Sequence, residues 1–237
     1  MPGANRRTAT AWSTAAAPEQ RAAARAKPLL PAHRVPTLVD RRGHFPLAWP
    51  EVLRRAALGR IDYADVRREF RAQVERVRGD GLQVTHLDTH QHLHLWPGFG
   101  RVVADLAAEL RVPVRVPRSR SRGLRGTALR LLGRRLAHRL DRSRLPHPSD
   151  HAGLDEAGAL DRHFPAVLDR LARSGAPTAE VNTHPGEAGD AELARFAWGY
   201  RWSEELALLT DPATRELVRA RGFRLASWAD LAAAARR

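Results

Sequence analysis

At 237 residues, 43% hydrophobic and 28% charged, the chain has the size and balance of one large globular domain or two small ones. It has no cysteine, which excludes disulfides and thiolate metal sites, and no apolar run near the ~20 residues a membrane span needs. Its net charge of +14 rests almost wholly on arginine, with Lys27 the only lysine, a bias of GC-rich coding more than of a surface built for nucleic acid.

Residues 1–27 are rich in Ala, Arg and Thr, hold one acidic residue (Glu19), and show neither strand alternation nor an amphipathic face. They are expected to be an unstructured or aberrant segment: a disordered tail, a transit-like peptide, or a stretch translated in the wrong frame. From Pro28 the pattern becomes that of folded protein, and residues 28–237 are expected to form one domain. Two helices are predicted over Trp49–Gly59 and Tyr63–Arg78, the second with Val66, Phe70, Val74 and Val77 at helical spacing and stopped by Gly79-Asp80-Gly81. A strand follows over Leu82–Asp88, then a helix opened by Pro97-Gly98 and running through Val102, Leu106 and Leu110. Val112–Val116 reads as a short strand ahead of Pro117, and a basic helix spans about Leu124–Leu140. Its arginines are expected to form a solvated face. After a polar loop through Pro146 and His151 come a helix (Leu160–Arg173), a strand (Thr178–Thr183), and helices around Glu204–Leu209 and Pro212–Arg221. A last strand (Phe223–Ser227) and a closing helix (Trp228–Ala234) complete the chain. This alternation of strand and helix is that of a parallel α/β sheet or barrel, where chemistry gathers at the strand ends.

One such end is dense with function-bearing side chains. His86, Asp88, His90, His92 and His94 occupy every second position, and an extended strand would turn His86, Asp88 and His90 to one face. Imidazoles and a carboxylate together make a poor core but a good site for a metal or for proton transfer. A divalent ion held there with an open position would lower the pKa of bound water for attack on a carbonyl. His184, ending another strand in Asn182-Thr183-His184-Pro185-Gly186, suits a general acid for the leaving group. His33, His44, His138, His147, His151 and His163 lack comparable partners and are expected on the surface or in loops.

The run His86–His94 with Trp96-Pro97-Gly98 resembles the signature of the YdjC-like carbohydrate deacetylases, the ChbG/HpnK family. Thr183-His184-Pro185-Gly186 resembles that family's later His-Pro-Gly motif, Val114–Arg118 its short strand, and Arg221–Asp230 its C-terminal end. Pro28–Pro31 and Pro36–Asp40 are similar to the segment after the family's first metal histidine, so the likeness runs from about residue 28 to 232. It implies a distorted (β/α) barrel that removes an acetyl group from an N-acetylated sugar, a free carbohydrate or a glycolipid, with a divalent ion. Magnesium is the usual assignment, with zinc or manganese as alternatives. By position it implies His90 as metal ligand, His184 and Asp88 as catalytic groups, and His94 and Arg115 on the substrate side. A cytoplasmic protein, at most a homodimer, without a specific nucleic-acid partner, is the matching expectation.

The family also carries an Asp-Asp-Phe-Gly strand end and a Gly-x-His-Leu metal histidine. This chain has no Asp-Asp pair, and its first aspartate is Asp40. A barrel incomplete at its N-terminal strands, and a catalyst inactive or nearly so, are therefore expected, with truncation, frameshift or decay as explanations. Another metal-dependent hydrolase and a basic binding protein for anionic partners are the alternative functions.

Overall fold

The computed structural model describes residues 8–11, 27–46, 49–194 and 198–235. The chain divides into two compact units, the first made of residues 1–115, 134–147 and 228–237, the second of residues 116–133 and 148–227.

In the first unit, α1 (Trp49–Ala57) and α2 (Tyr63–Gly79) follow the predicted bounds closely. Asp62 caps α2 by accepting a hydrogen bond from the Ala64 amide at 2.8 Å. Val66, Phe70 and Val74, one turn apart on α2, are buried, as their spacing requires. Two acidic side chains on the same helix hold the segment that begins at Pro28. The Leu29 and Leu30 amides donate to Glu69 at 2.9 and 3.1 Å, and the Thr37 amide and hydroxyl donate to Asp65 at 3.0 and 2.7 Å. Both carboxylates are almost fully buried, and these bonds satisfy them.

Strand β2 (Gln83–Leu87) leads into the histidine-rich run, and α3 (Pro97–Leu110) leaves it with Pro97 at its first position. Gly98 is required there because a Cβ would fall 1.9 Å from the Tyr63 ring. Tyr63 also meets Phe99 edge-on at 5.5 Å and accepts a hydrogen bond from Trp96 Nε1 at 3.1 Å. The Trp-Pro-Gly triplet is thus a packing device that seats α3 on α2. Beside β2, residues 112–116 do not form the full strand predicted. They make a single parallel bridge, Leu87 to Val114, with the Leu87 amide donating to the Pro113 carbonyl at 2.9 Å. Pro113 lies within this stretch and Pro117 follows it, and a proline has no amide to extend a ladder. On the other side of β2 lies β1 (Thr8–Ala11), paired in parallel with Thr8 opposite Gln83. A strand therefore stands within the segment where the sequence pattern gave none. Four small residues, Thr-Ala-Thr-Ala, carry too little hydrophobic alternation to announce it. The closing helix α9 (Trp228–Ala234) completes this unit.

Helix α4 (Leu124–Arg142) crosses the boundary between the units at residue 133. The second unit is built on β3 (Asp150–Ala152) and β4 (Ala179–Val181), a parallel pair with Asp150 opposite Ala179. Against it packs a core of Ala152, Leu160, Phe164, Val167, Leu168, Leu171 and Val218, drawn largely from α5 (Leu160–Ser174). Short α6 (Ala191–Ala194), then α7 (Trp202–Thr210) and α8 (Pro212–Ala220), follow. Two expectations need correction. The polar loop around His151 is a buried strand, β3, and His151 is 1% exposed; three residues are too few for alternation to show. Residues 223–227 are irregular and not a strand, and Leu225 is 64% exposed.

Candidate active site

The alternation of histidines does not continue as a strand. Extended backbone ends at Thr89, and residues 90–95 form a tight 3-10 turn in which Gln91 and His92 take positive φ angles of 51° and 55°. Thr89 causes the turn. Its carbonyl accepts from the His92 amide at 3.0 Å and its hydroxyl from the His94 amide at 2.9 Å. His86, Asp88 and His90 therefore do not share one strand face as their spacing predicts.

What forms instead is a polar cluster around Asp88. Its carboxylate pairs with the Arg115 guanidinium and accepts a hydrogen bond from the Thr89 amide at 2.7 Å. Nδ1 of His94 and Nδ1 of His92 each stand 3.7 Å from the same oxygen, Oδ1, too far for hydrogen bonds but close enough for charge to be felt. Burial alone would raise the Asp88 pKa. His92, His94 and Arg115 together outweigh it and hold the carboxyl well below its usual range.

His94 is wholly buried, and both ring nitrogens are engaged: Nδ1 with the Thr89 hydroxyl at 2.6 Å and Nε2 with the Arg115 carbonyl at 2.9 Å. Burial pushes its pKa down to about 4. His94 thus ties the turn to residue 115, a different task from the substrate contact that the resemblance implies. His86 is also buried and also pushed down to about 4, first by burial and then by the charge of Arg115. Its ring lies flat on Trp228, with centroids 4.2 Å apart and planes 6° apart. His90 is half-buried at the start of the turn, its pKa lowered by burial and by its neighbour His92.

A metal is the group that the resemblance implies. Among the described residues no three His, Asp or Glu side chains converge as a cation would require. Asp88 is committed to Arg115, and His94 has no ring nitrogen to offer. The described residues do not fit a complete metal centre.

The second unit carries His184, in the loop after β4. Its amide donates to Glu205 Oε2 at 2.7 Å, while Oε1 of the same side chain accepts from the Leu160 amide at 3.1 Å. Glu205 is completely buried, so one carboxylate pins the His184 loop to the start of α5. The His184 ring is half-buried and meets Tyr200 edge-on at 5.0 Å. Gly186 has no room for a side chain, since a Cβ would fall 2.1 Å from Leu193 Cδ1, and its amide donates to the Trp202 carbonyl at 3.0 Å. Sequence reasoning missed Glu205 and Thr89, both of which act through backbone amides that no motif spacing displays.

The model of the YdjC-like protein family matches residues 20–220. A carbohydrate deacetylase of Geobacillus stearothermophilus is 30% identical over 194 residues, covering 82% of this chain and 68% of that protein. A chitooligosaccharide deacetylase of Yersinia pestis (strain Pestoides F) is 28% identical over 205 residues, 84% of this chain and 73% of that one. Among solved structures, a protein of Enterococcus faecalis V583 provisionally named for cellobiose-phosphate cleavage superposes with a TM-score of 0.65 at 23% identity, covering 86% of this chain and 72% of its own. That likeness supports the α/β class and the distorted barrel expected from the sequence.

Proposed function

The chain belongs to the YdjC-like family, and on that footing we propose that it is a slow carbohydrate deacetylase, a hydrolase of the N-acetyl amide of an amino sugar, free or lipid-linked. The observation that carries this proposal is His184, a half-buried imidazole on a backbone fixed by a buried carboxylate, in a chain whose relatives are named for sugar deacetylation. In the proposed reaction water adds its oxygen to the acetyl carbon and the C–N bond breaks. His184 delivers the proton that the departing amine nitrogen needs. Within the first unit Asp88, held ionised, keeps the Arg115 guanidinium in place. His94 acts behind Arg115, through its carbonyl.

The divalent ion implied by the resemblance, magnesium first and zinc or manganese after it, would find a donor in His90 and supply Lewis-acid polarisation when bound. The described residues do not complete its coordination, and for that reason a low turnover is proposed. Acetate release from N-acetylglucosamine oligomers, with each of the three metals added, is the test. The expected result is slow release that His184→Ala abolishes; release no faster than that of His184→Ala overturns the proposal.

A further inference from the structure

The second unit displays an aromatic patch that this chemistry leaves unused. Trp198, Tyr200 and Trp202 occupy alternate positions, and their rings pack together with centroids 5.3 Å apart (Trp198 and Tyr200), 4.8 Å (Tyr200 and Trp202) and 5.9 Å (Trp198 and Trp202). His184 joins them edge-on, 5.0 Å from Tyr200 and 6.4 Å from Trp202. These large rings stand apart from the core packed on β3 and β4. Trp198 is 38% exposed, and Tyr200 and Trp202 are half-buried. Indole and phenol rings that stay partly in water beside an imidazole suit a ligand with an apolar face and polar edges.

The backbone that carries the rings is fixed by a hydrogen bond and ion pairs at Arg201. Between Tyr200 and Trp202, the Arg201 amide donates to the Gly158 carbonyl at 2.8 Å. The Arg201 guanidinium reaches Asp161 at 3.0 Å and Glu204 at 3.1 Å. Gly158, at φ +80°, admits the Tyr200 ring where a Cβ would stand 2.2 Å from its Cδ1. A wall fixed in this way loses little freedom when a ligand settles on it.

The charge around it narrows the ligand. The chain carries +14 overall, yet the one arginine between Tyr200 and Trp202, Arg201, is paired with Asp161 and Glu204, and the buried Glu205 adds a negative charge at the His184 amide. Such a patch does not attract phosphate, which argues against a nucleotide and for a neutral ring. A pyranose meets the description, with axial C–H bonds on one face and hydroxyls at the rim.

We propose that Trp198, Tyr200 and Trp202 form a sugar-stacking wall that receives a pyranose ring of the substrate next to His184. The proposal rests on the deacetylase reading for its substrate class, an N-acetylated amino sugar. Its test uses the whole chain and chitotriose as the probe, with affinity measured by calorimetry and acetate release followed in parallel. Trp198→Ala, a change at a partly exposed ring, is expected to weaken chitotriose binding roughly 2- to 12-fold, the range of one aromatic contact. Trp198→Phe is expected to keep most of the affinity, and the thermal midpoints of both variants should match the parent. Saturation-transfer NMR with aromatic irradiation should mark the sugar's C–H protons in the parent and less so in Trp198→Ala. Absent binding, or affinity and transfer unchanged in Trp198→Ala, overturns the wall, even where acetate is released. Affinity that falls with the ring while acetate release never exceeds that of His184→Ala keeps the wall and removes the deacetylase reading instead.

Discussion

The two histidine-bearing regions are built on opposite principles. Around Asp88, four histidines, an arginine and a threonine occupy one short stretch and its neighbour, and Asp88, Thr89, His94 and Arg115 bond to one another. Around His184 a single imidazole stands on a loop secured through its backbone amide, with aromatic rings at its edge. The dense motif thus shapes a turn and fixes Arg115, and His90 and His92 are its half-buried histidines. In the sparse motif the carboxylate restraint acts on the main chain, through the His184 amide.

The comparison is broken most forcefully at Arg115. If the Asp88 cluster is architecture, Arg115→Ala leaves a buried carboxylate without its counter-charge. The expected loss is about 3–5 kcal/mol of unfolding free energy, read by denaturant titration. A loss under about 1 kcal/mol would mean that the pair contributes to the chemistry and not to the fold.

Acid should separate the regions next. His86 and His94 are each pushed down to about 4 in the folded chain, against about 6.5 when unfolded. Between those values the unfolded chain binds the extra protons, so stability is complete above about pH 6.5 and falls as pH drops toward 4. Each ring contributes roughly 3 kcal/mol to that fall at most. Asp88, held below its usual range, adds its share only at lower pH, where unfolded carboxylates begin to protonate. Denaturant midpoints at pH 7, 6, 5 and 4 measure the slope, and His86→Gln is expected to flatten it. A midpoint that stays level from pH 7 to 4 would show that these imidazoles are more hydrated than their burial implies.

The sequence displayed the helices and the histidine cluster because each rests on local pattern: Val66, Phe70 and Val74 at helical spacing, a breaker at Gly79-Asp80-Gly81, alternate polar residues from His86 to His94. It concealed what depends on pairing at a distance. Thr8–Ala11 is a strand only because β2 offers it an edge. His151 is buried only because β4 lies beside β3. The turn after Asp88 comes from the Thr89 hydroxyl bonding five residues ahead, a local preference of threonine that the alternation of its neighbours obscures. Glu205 looked like an ordinary acidic residue in the first turn of a helix. Its partners are 21 and 45 residues away.

Glu205 also gives the smallest and sharpest test of the difference between the regions. Its two oxygens accept from two separate amides, His184 and Leu160. Glu205→Gln keeps the shape but leaves one acceptor oxygen for two N–H donors, and turns an NH2 group toward the other. One buried donor goes unsatisfied, at an expected cost of about 1–3 kcal/mol. Because the restraint acts on the main chain, the loop should loosen. Faster amide exchange at His184 and Leu160 is the expected NMR result. If exchange at both amides stays at the parent's rate, the carboxylate does not restrain the loop, and the sparse region is held by something other than Glu205.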